Sequence, residues 1–280
     1  MKGFIIFIFV FFISDSISAQ QITGSKAFSM SDAFSAVAST NDALFINAAG
    51  ISLYPNRYNI DLLHQYKNDG GFNISTISIL DSTTFPLGAE FAFSYMWGED
   101  YGVDKKGYRL DLGFSYPFAT RLLWGFDVKY VRLDIASKEN AINAATADTG
   151  FLFLVNKWFR VSLYGQNLIY VGRDELPTKS GAGTMIGTES SFYAAEDTVF
   201  SFYRNGERKI TQSVGANLFL SGMFSLSAGY KYDQTQKNNH FISAGTGLFS
   251  KAAGVEISYR LAIEEKGDFQ LLGSIKFFME

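Results

Sequence analysis

The sequence predicts an all-β fold: a 14-stranded antiparallel transmembrane β-barrel preceded by a short helical N-terminal segment, whose reading as a plug comes from a resemblance given below. Three observations predict it. The first is a strict two-residue beat between Leu87 and Leu133. Leu87, Ala89, Phe91, Phe93, Tyr95 and Trp97 alternate with Gly88, Glu90, Ala92, Ser94 and Met96, and the same beat runs through Tyr108 to Phe118 and Leu122 to Val131. Successive strand side chains point to opposite faces, so each run has one aromatic face and one small or charged face. The second is length: segments of roughly ten residues match a tilted strand crossing hydrocarbon. The third is the sorting of the links into short and long, as bacterial barrels sort their periplasmic turns and external loops.

Composition agrees. Aromatic residues make up 16% of the 280, with 28 Phe and 15 Tyr, enough for a lipid-facing band and its aromatic girdles. Beyond the N-terminus there is no apolar run of the ~20 residues that a membrane helix needs. Net charge is −3 with no basic block, which sets nucleic acid aside as a partner. Cysteine is absent, which excludes disulfides, thiolate metal sites and thiol nucleophiles.

Taken in order, residues 1–19 read as a signal peptide. Met1-Lys2 is a minimal basic region, residues 3–13 are its apolar core, and Ile17-Ser18-Ala19 is the cleavage site. Residues 20–53 are rich in Ala and Ser and do not alternate. Ala27, Met30, Ala33, Ala36 and Val37 fall at three- and four-residue steps, which suggests a short helix. Residues 54–280 form the barrel. Strands are expected over 57–66, 72–80, 87–97, 107–118, 122–133, 146–155, 159–169, 183–192, 197–203, 209–220, 224–232, 240–249, 254–262 and 269–278. Short links at 119–121, 156–158, 221–223 and 250–252 alternate with long polar ones at 98–106, 134–145, 170–182, 233–239 and 263–268. This order requires an even strand number and both termini in the periplasm, with the barrel integral to a bacterial outer membrane. The last strand, with Leu271, Gly273, Ile275 and Phe277 on one face, resembles the recognition signal of barrel-assembly machinery, although Met279-Glu280 follow the usual terminal Phe.

Residues 24–51 carry a resemblance. Ala27, Met30, Ala33, Ala36, Ala38, Asp42, Ala43, Asn47, Ala49 and Gly50 match the Ala- and Gly-rich N-terminal run of the superfamily of FadL-type fatty-acid transporters and PorV/PorQ-type secretion barrels. Ser31-Asp32 stands where that run has a glycine pair, and Ala48 where it has proline. Gly165-Gln166-Asn167-Leu168 resembles a motif of the PorV-like branch. The resemblance implies 14 strands and an N-terminal hatch inside the lumen, with Met30, Ala33, Asp42, Asn47, Ala48, Ala49 and Gly50 as its motif. From the residues alone, a structural lid over the periplasmic end stays open as an alternative.

Strand parity turns Glu90, Arg109, Asp111, Asp127, Lys129, Arg160, Lys231, Glu256, Arg260 and Lys276 toward the lumen. Both signs are present, so no single-sign ring marks an ion-selective pore. Ion pairs that brace the barrel and contact the hatch are the expectation. His64 and His240 are the two histidines, and neither lies in a Ser or Asp constellation, so no enzyme is expected. No phosphate loop, metal cluster or cofactor motif is present. Asp100 and Asp104 read as a solvated acidic loop or, less well, a calcium site. Two functions remain: a PorV/PorQ-like accessory of protein secretion, with secretion-system proteins as partners, or a FadL-like channel releasing hydrophobic molecules through the wall when the hatch shifts. A structural barrel is the third. Short external links favour the secretion branch, since a fatty-acid transporter needs long ones for an apolar capture groove.

Overall fold

The computed structural model describes residues 22–83, 87–100, 102–136, 141–236, 239–264 and 267–279; residues 1–19, read as a signal peptide, and Gln20-Gln21 lie outside the described residues. The chain forms one closed antiparallel barrel of 14 strands in sequence order. They are β1 Tyr58–Lys67, β2 Phe72–Asp81, β3 Gly88–Asp100, β4 Val103–Ala119, β5 Leu122–Ile135, β6 Ile142–Asn156 and β7 Phe159–Gln166. Then come β8 Thr178–Gly187, β9 Phe192–Phe202, β10 Arg208–Leu220, β11 Phe224–Asp233, β12 His240–Phe249, β13 Ala253–Ala262 and β14 Phe269–Met279. Closure falls between first and last: Tyr58 pairs with Met279 and Lys67 with Gln270. The rim where β1 begins and β14 ends is the proximal rim; the other is distal.

Burial alternates along every long strand, and β5 reads inward at Leu123, Gly125, Asp127, Lys129, Val131, Leu133 and Ile135. The outward set is apolar and exposed: Phe91, Leu112, Phe114, Val128, Phe151, Ile257 and Ile275 are each about two-fifths exposed or more. A largely apolar wall around a closed ladder suits a sheet that spans hydrocarbon, because no backbone edge is left unpaired.

Several boundaries differ from expectation. The strand expected at 183–192 runs over its own turn, since Thr188 and Ser191 bond across the bend. Its true span is five residues earlier, and β9 takes up the residues that follow. The strand expected to reach 169 stops at Gln166, because Asn167 adopts a left-handed φ of 53°. The expected long link at 98–106 is strand for most of its length, with Asp100 pairing Val103.

Residues 22–53 do not form one helix across 27–37. They fold as α1 Ser25–Ser29, a 3₁₀ turn Thr40–Asp42, α2 Ala43–Ile46 and a 3₁₀ turn Ala48–Ser52. The first helix ends because Ser31 and Asp32 take left-handed φ values of 55° and 69°. Non-glycine residues pay for that conformation and hold it only where their surroundings do.

A barrel of this kind keeps its ladder in detergent. Unboiled protein is expected to migrate faster than boiled protein on a denaturing gel; equal mobility would refute the closed fold.

Candidate functional site

The lumen is where inward side chains and the N-terminal segment meet. Residues 22–53 are almost wholly buried, with Ala27, Met30, Ala33, Ala36, Val37, Ala43 and Ala49 at 0% exposure. Close approach is achieved by glycines on the wall. The Met30 carbonyl lies where Cβ atoms at Gly215 and Gly229 would fall, at 2.6 Å in each case. Gly125 of β5 admits the Ala48-Ala49 backbone, and Gly150 of β6 admits the Asn47 side chain. Within the segment, Gly50 sits against the Ala38 carbonyl with no room for a Cβ.

Five polar anchors tie the segment to the wall. Asp32 accepts from Arg260 Nη2 at 2.9 Å and from Lys231 Nζ at 3.0 Å. Asp42 accepts the backbone N–H groups of Lys26 and Ala27 at 2.8 and 3.0 Å, and faces Lys276 Nζ at 3.2 Å. Asp197 of β9 accepts the Phe34 and Ser35 N–H groups at 2.8 and 2.9 Å, and the Ser35 hydroxyl as well. Asn47 donates to the Ser35 and Phe151 carbonyls and accepts from Ala49 N–H, capping the last 3₁₀ turn. Gln166 donates from Nε2 to the Phe45 and Ile46 carbonyls at 3.1 and 3.2 Å. Ser31-Asp32 therefore forms a left-handed bend and places a carboxylate on it.

The lumenal charges fall into pairs. Glu256 bridges Lys276 at 2.8 Å and Lys26 at 2.9 Å. Lys129 meets Asp148 at 2.5 Å, and Arg109 grips Asp111 on its own strand. Arg160 reaches Glu189 at 2.6 Å, and Tyr54 donates to the same carboxylate at 2.6 Å. Burial pushes the Tyr54 hydroxyl up to about 12, and Glu189 adds to the effect. Arg260 also lies 4.1 Å over the Phe28 ring.

Glu90 and Asp127 differ from the rest. They are 1% and 0% exposed, and neither carboxyl oxygen of either residue has a hydrogen-bond partner. They flank Gly113 on β4, which pairs with both. Leu44 and Ile51 of the N-terminal segment fill the space over that glycine, so apolar side chains separate the two carboxyls.

An apolar lining was not foreseen. Phe72 and Ile74 of β2, Met96 of β3, Val131, Leu133 and Ile135 of β5 and Ile142 of β6 all point inward near the distal rim and are at most 4% exposed. Val103, with Val171 and Leu176 from the 167–177 link, packs on this cluster, which continues down to Leu44, Phe45, Ile46 and Ile51. The signal was present in the inward parity of Val131 and Leu133, which follow charged Asp127 and Lys129 on one face. The expected acidic loop is corrected: Asp100 is 5% exposed and sits between Lys67 and Lys105 at 2.5 Å each, while Asp104 is exposed on the outer face. Among the described residues, the two carboxylates face opposite sides of the wall and share no calcium site. Both histidines are on the outer wall, His64 bonded to Ser75 at 2.9 Å and His240 to the Tyr230 hydroxyl at 2.6 Å. A recess of about 570 Å³ opens on that wall across β13, β14, β1, β2 and β3, lined by His64, Ser75, Ile77, Phe93, Ile257 and Gly273.

A closed barrel with an occupied lumen and an apolar distal lining defines a class of transmembrane barrel, and solved structures share its fold. A structure titled as the CymD monoaromatic hydrocarbon channel superposes with a TM-score of 0.72 at 12% identity, covering 92% of this chain and 97% of that one. The toluene transporter TodX of P. putida gives 0.68 at 10% identity, covering 92% and 97%. A Pseudomonas aeruginosa FadL homologue gives 0.64 at 10% identity, covering 91% and 98%. No protein-family model matches the chain, and no curated protein matches it in sequence.

Two predictions arise from the anchors. Burial alone would raise the Asp32 carboxyl, but Arg260 and then Lys231 outweigh it and hold the group below its usual 3.8. A carboxyl held low stabilises above its ordinary pKa and loses that contribution as pH falls through the lower value. Single-channel conductance should therefore stay flat from about pH 8 to about pH 5 and rise only in stronger acid. Asp32→Asn should raise it across the whole range, since removing one partner of a buried pair costs about 3–5 kcal/mol. Conversely, Glu90→Gln and Asp127→Asn should leave or increase resistance to urea unfolding, by up to about 3 kcal/mol, because unpartnered buried carboxyls are costly. A large loss of stability in either would show that the carboxyls have partners.

Proposed function

We propose that this protein is a FadL-like outer-membrane channel for hydrophobic small molecules, with residues 22–53 as its plug and its distal rim facing outward. The observation that carries the reading is the apolar distal lining, from Phe72, Ile74 and Met96 through Val131, Leu133 and Ile135 down to Phe45 and Ile46 of the plug. A water-filled porin lumen is polar, whereas this one offers hydrocarbon a surface continuous with the plug. Short distal links do not stand against it, because the lining comes from the strands themselves and from the 167–177 link. The transporter titles of the structures that share the fold point the same way, and monoaromatic hydrocarbons are the first substrate class to test.

In this reading ligand enters among the distal apolar side chains, and the plug must shift before it can pass. The wall recess that Gly273 helps to line marks the exit, since a Cβ at this glycine would meet nothing within 4 Å. Behind it lie Glu256 and Ser274, and Glu256 grips Lys26 of the plug. Movement of the plug thus loosens the inner side of the same wall. The secretion-accessory reading finds no comparable support. The distal links are short and offer little surface for cargo, and CymD and TodX, which share the fold, are a hydrocarbon channel and a toluene transporter.

Uptake of radiolabelled toluene by cells carrying the barrel should exceed that of cells without it. Leu133→Glu, which puts a charge into the lining, should abolish the excess while the heat-shifted gel band persists. Deleting residues 22–53 should raise conductance in planar bilayers. Toluene uptake equal to that of barrel-free cells, with stoichiometric secretion proteins on the purified barrel, would restore the accessory reading.

A further inference from the structure

The outer wall is not uniform. On β3 to β5 the outward side chains at mid-strand are Phe91, Phe93, Leu110, Leu112, Phe126 and Val128, as lipid demands. On β8 to β10 the same level carries Thr184, Glu196, Thr198 and Gln212. Strand pairing puts these side by side: Glu196 lies between Thr184 and Val214, and Thr198 between Ala182 and Gln212. Glu196 is the fifth residue of an 11-residue strand and is exposed, its carboxylate accepting only from the Thr198 hydroxyl at 3.0 Å. Among the described residues, the other outward charges, such as Arg132, Lys106 and Arg208, stand near strand ends. Next to this polar row runs a row of outward alanines, Ala194, Ala216, Ala228 and Ala244, paired across β9 to β12.

A carboxylate facing hydrocarbon at mid-wall is costly, and ionisable groups at membrane depth turn toward protein or water. We infer that the β8–β10 face is covered by a second copy of this chain, forming a two-fold dimer in the membrane. Self-complementarity favours a copy over another occupant. The face holds one strong acceptor, Glu196, to which Thr198 of its own strand already donates, and the further donors Thr184 and Gln212 within the same few residues. A two-fold axis through such a face lets each copy's donors reach the other's carboxylate, which is the isologous arrangement of most symmetric dimers. The alanine row removes the side-chain bulk that would hold the two walls apart, as small residues do between membrane segments. A partner presenting a cation would satisfy Glu196 but would leave the surrounding donors unmatched.

The chain has no cysteine, so single cysteines report on this face directly. Ala194→Cys in the full-length barrel, treated in outer-membrane vesicles with a short bis-maleimide, should give a band at twice the monomer mass. Phe93→Cys, on the far wall, should not. Purified barrel should show the dimer mass by light scattering corrected for detergent, and Glu196→Leu should lower the dimer fraction several-fold while the unboiled gel band still runs fast. A monomer mass overturns the proposal. So does a dimer that Ala194→Cys fails to capture, which would use another face, or a cross-linked band of a different mass, which would identify a second protein. None of these readouts depends on transport.

Discussion

Hydrocarbon offers no hydrogen bonds, so every backbone N–H and C=O that crosses it must find a partner within the protein. In this chain a ladder of 14 strands closed between β1 and β14 meets that demand. Most of what else the molecule does follows from closure. Once the sheet is a cylinder, every second side chain points into a lumen of limited width, and those side chains must pack against one another or against something inserted. Outward side chains, by contrast, are free to be large, which accounts for the aromatic beat of β3, β4 and β5.

The inserted element is residues 22–53, and its sequence shows what a narrow lumen asks of a guest. Alanine and serine dominate, and wall glycines at 125, 215 and 229 make room for its backbone, as Gly150 does for the Asn47 side chain. Such a segment is too short and too interrupted to be stable as a helix by itself. Its order comes from the wall: Asp197 satisfies the N–H groups of Phe34 and Ser35, and Arg260 with Lys231 fixes Asp32. Anchoring of this type is directional and local. In the proposed channel, losing a few polar contacts would free the segment without disturbing the ladder, which is the property a plug needs.

Polar and apolar contents of the lumen are separated. Ion pairs cluster where the N-terminal segment meets β11, β13 and β14, and aliphatic side chains line the distal parts of β2, β3, β5 and β6. Glu90 and Asp127 sit at the boundary, without partners and screened by Leu44 and Ile51. The outer surface has its own division. Its aromatic side needs only lipid, and the side with Glu196 and the alanine row needs a protein neighbour.

The sequence by itself determined the barrel, the number of its strands and which residues face inward, because a period of two is a local property that burial on one side enforces residue by residue. Inward placement of Glu256, Arg260 and Lys129 was legible for that reason. Strand ends were less so: polar Thr188 to Ser191 and left-handed Asn167 act through local bends that alternation does not encode. Only the tertiary structure decided which charges pair, since Asp32 and Arg260 are 228 residues apart. It also decided that the three- and four-residue spacing of Ala27 to Val37 would serve close packing against glycines instead of one helix. The apolar distal lining emerged in the same way. Val131, Ile142 and Leu176 are unremarkable in their own segments, and they become one surface only when closure brings their strands and link around a common axis.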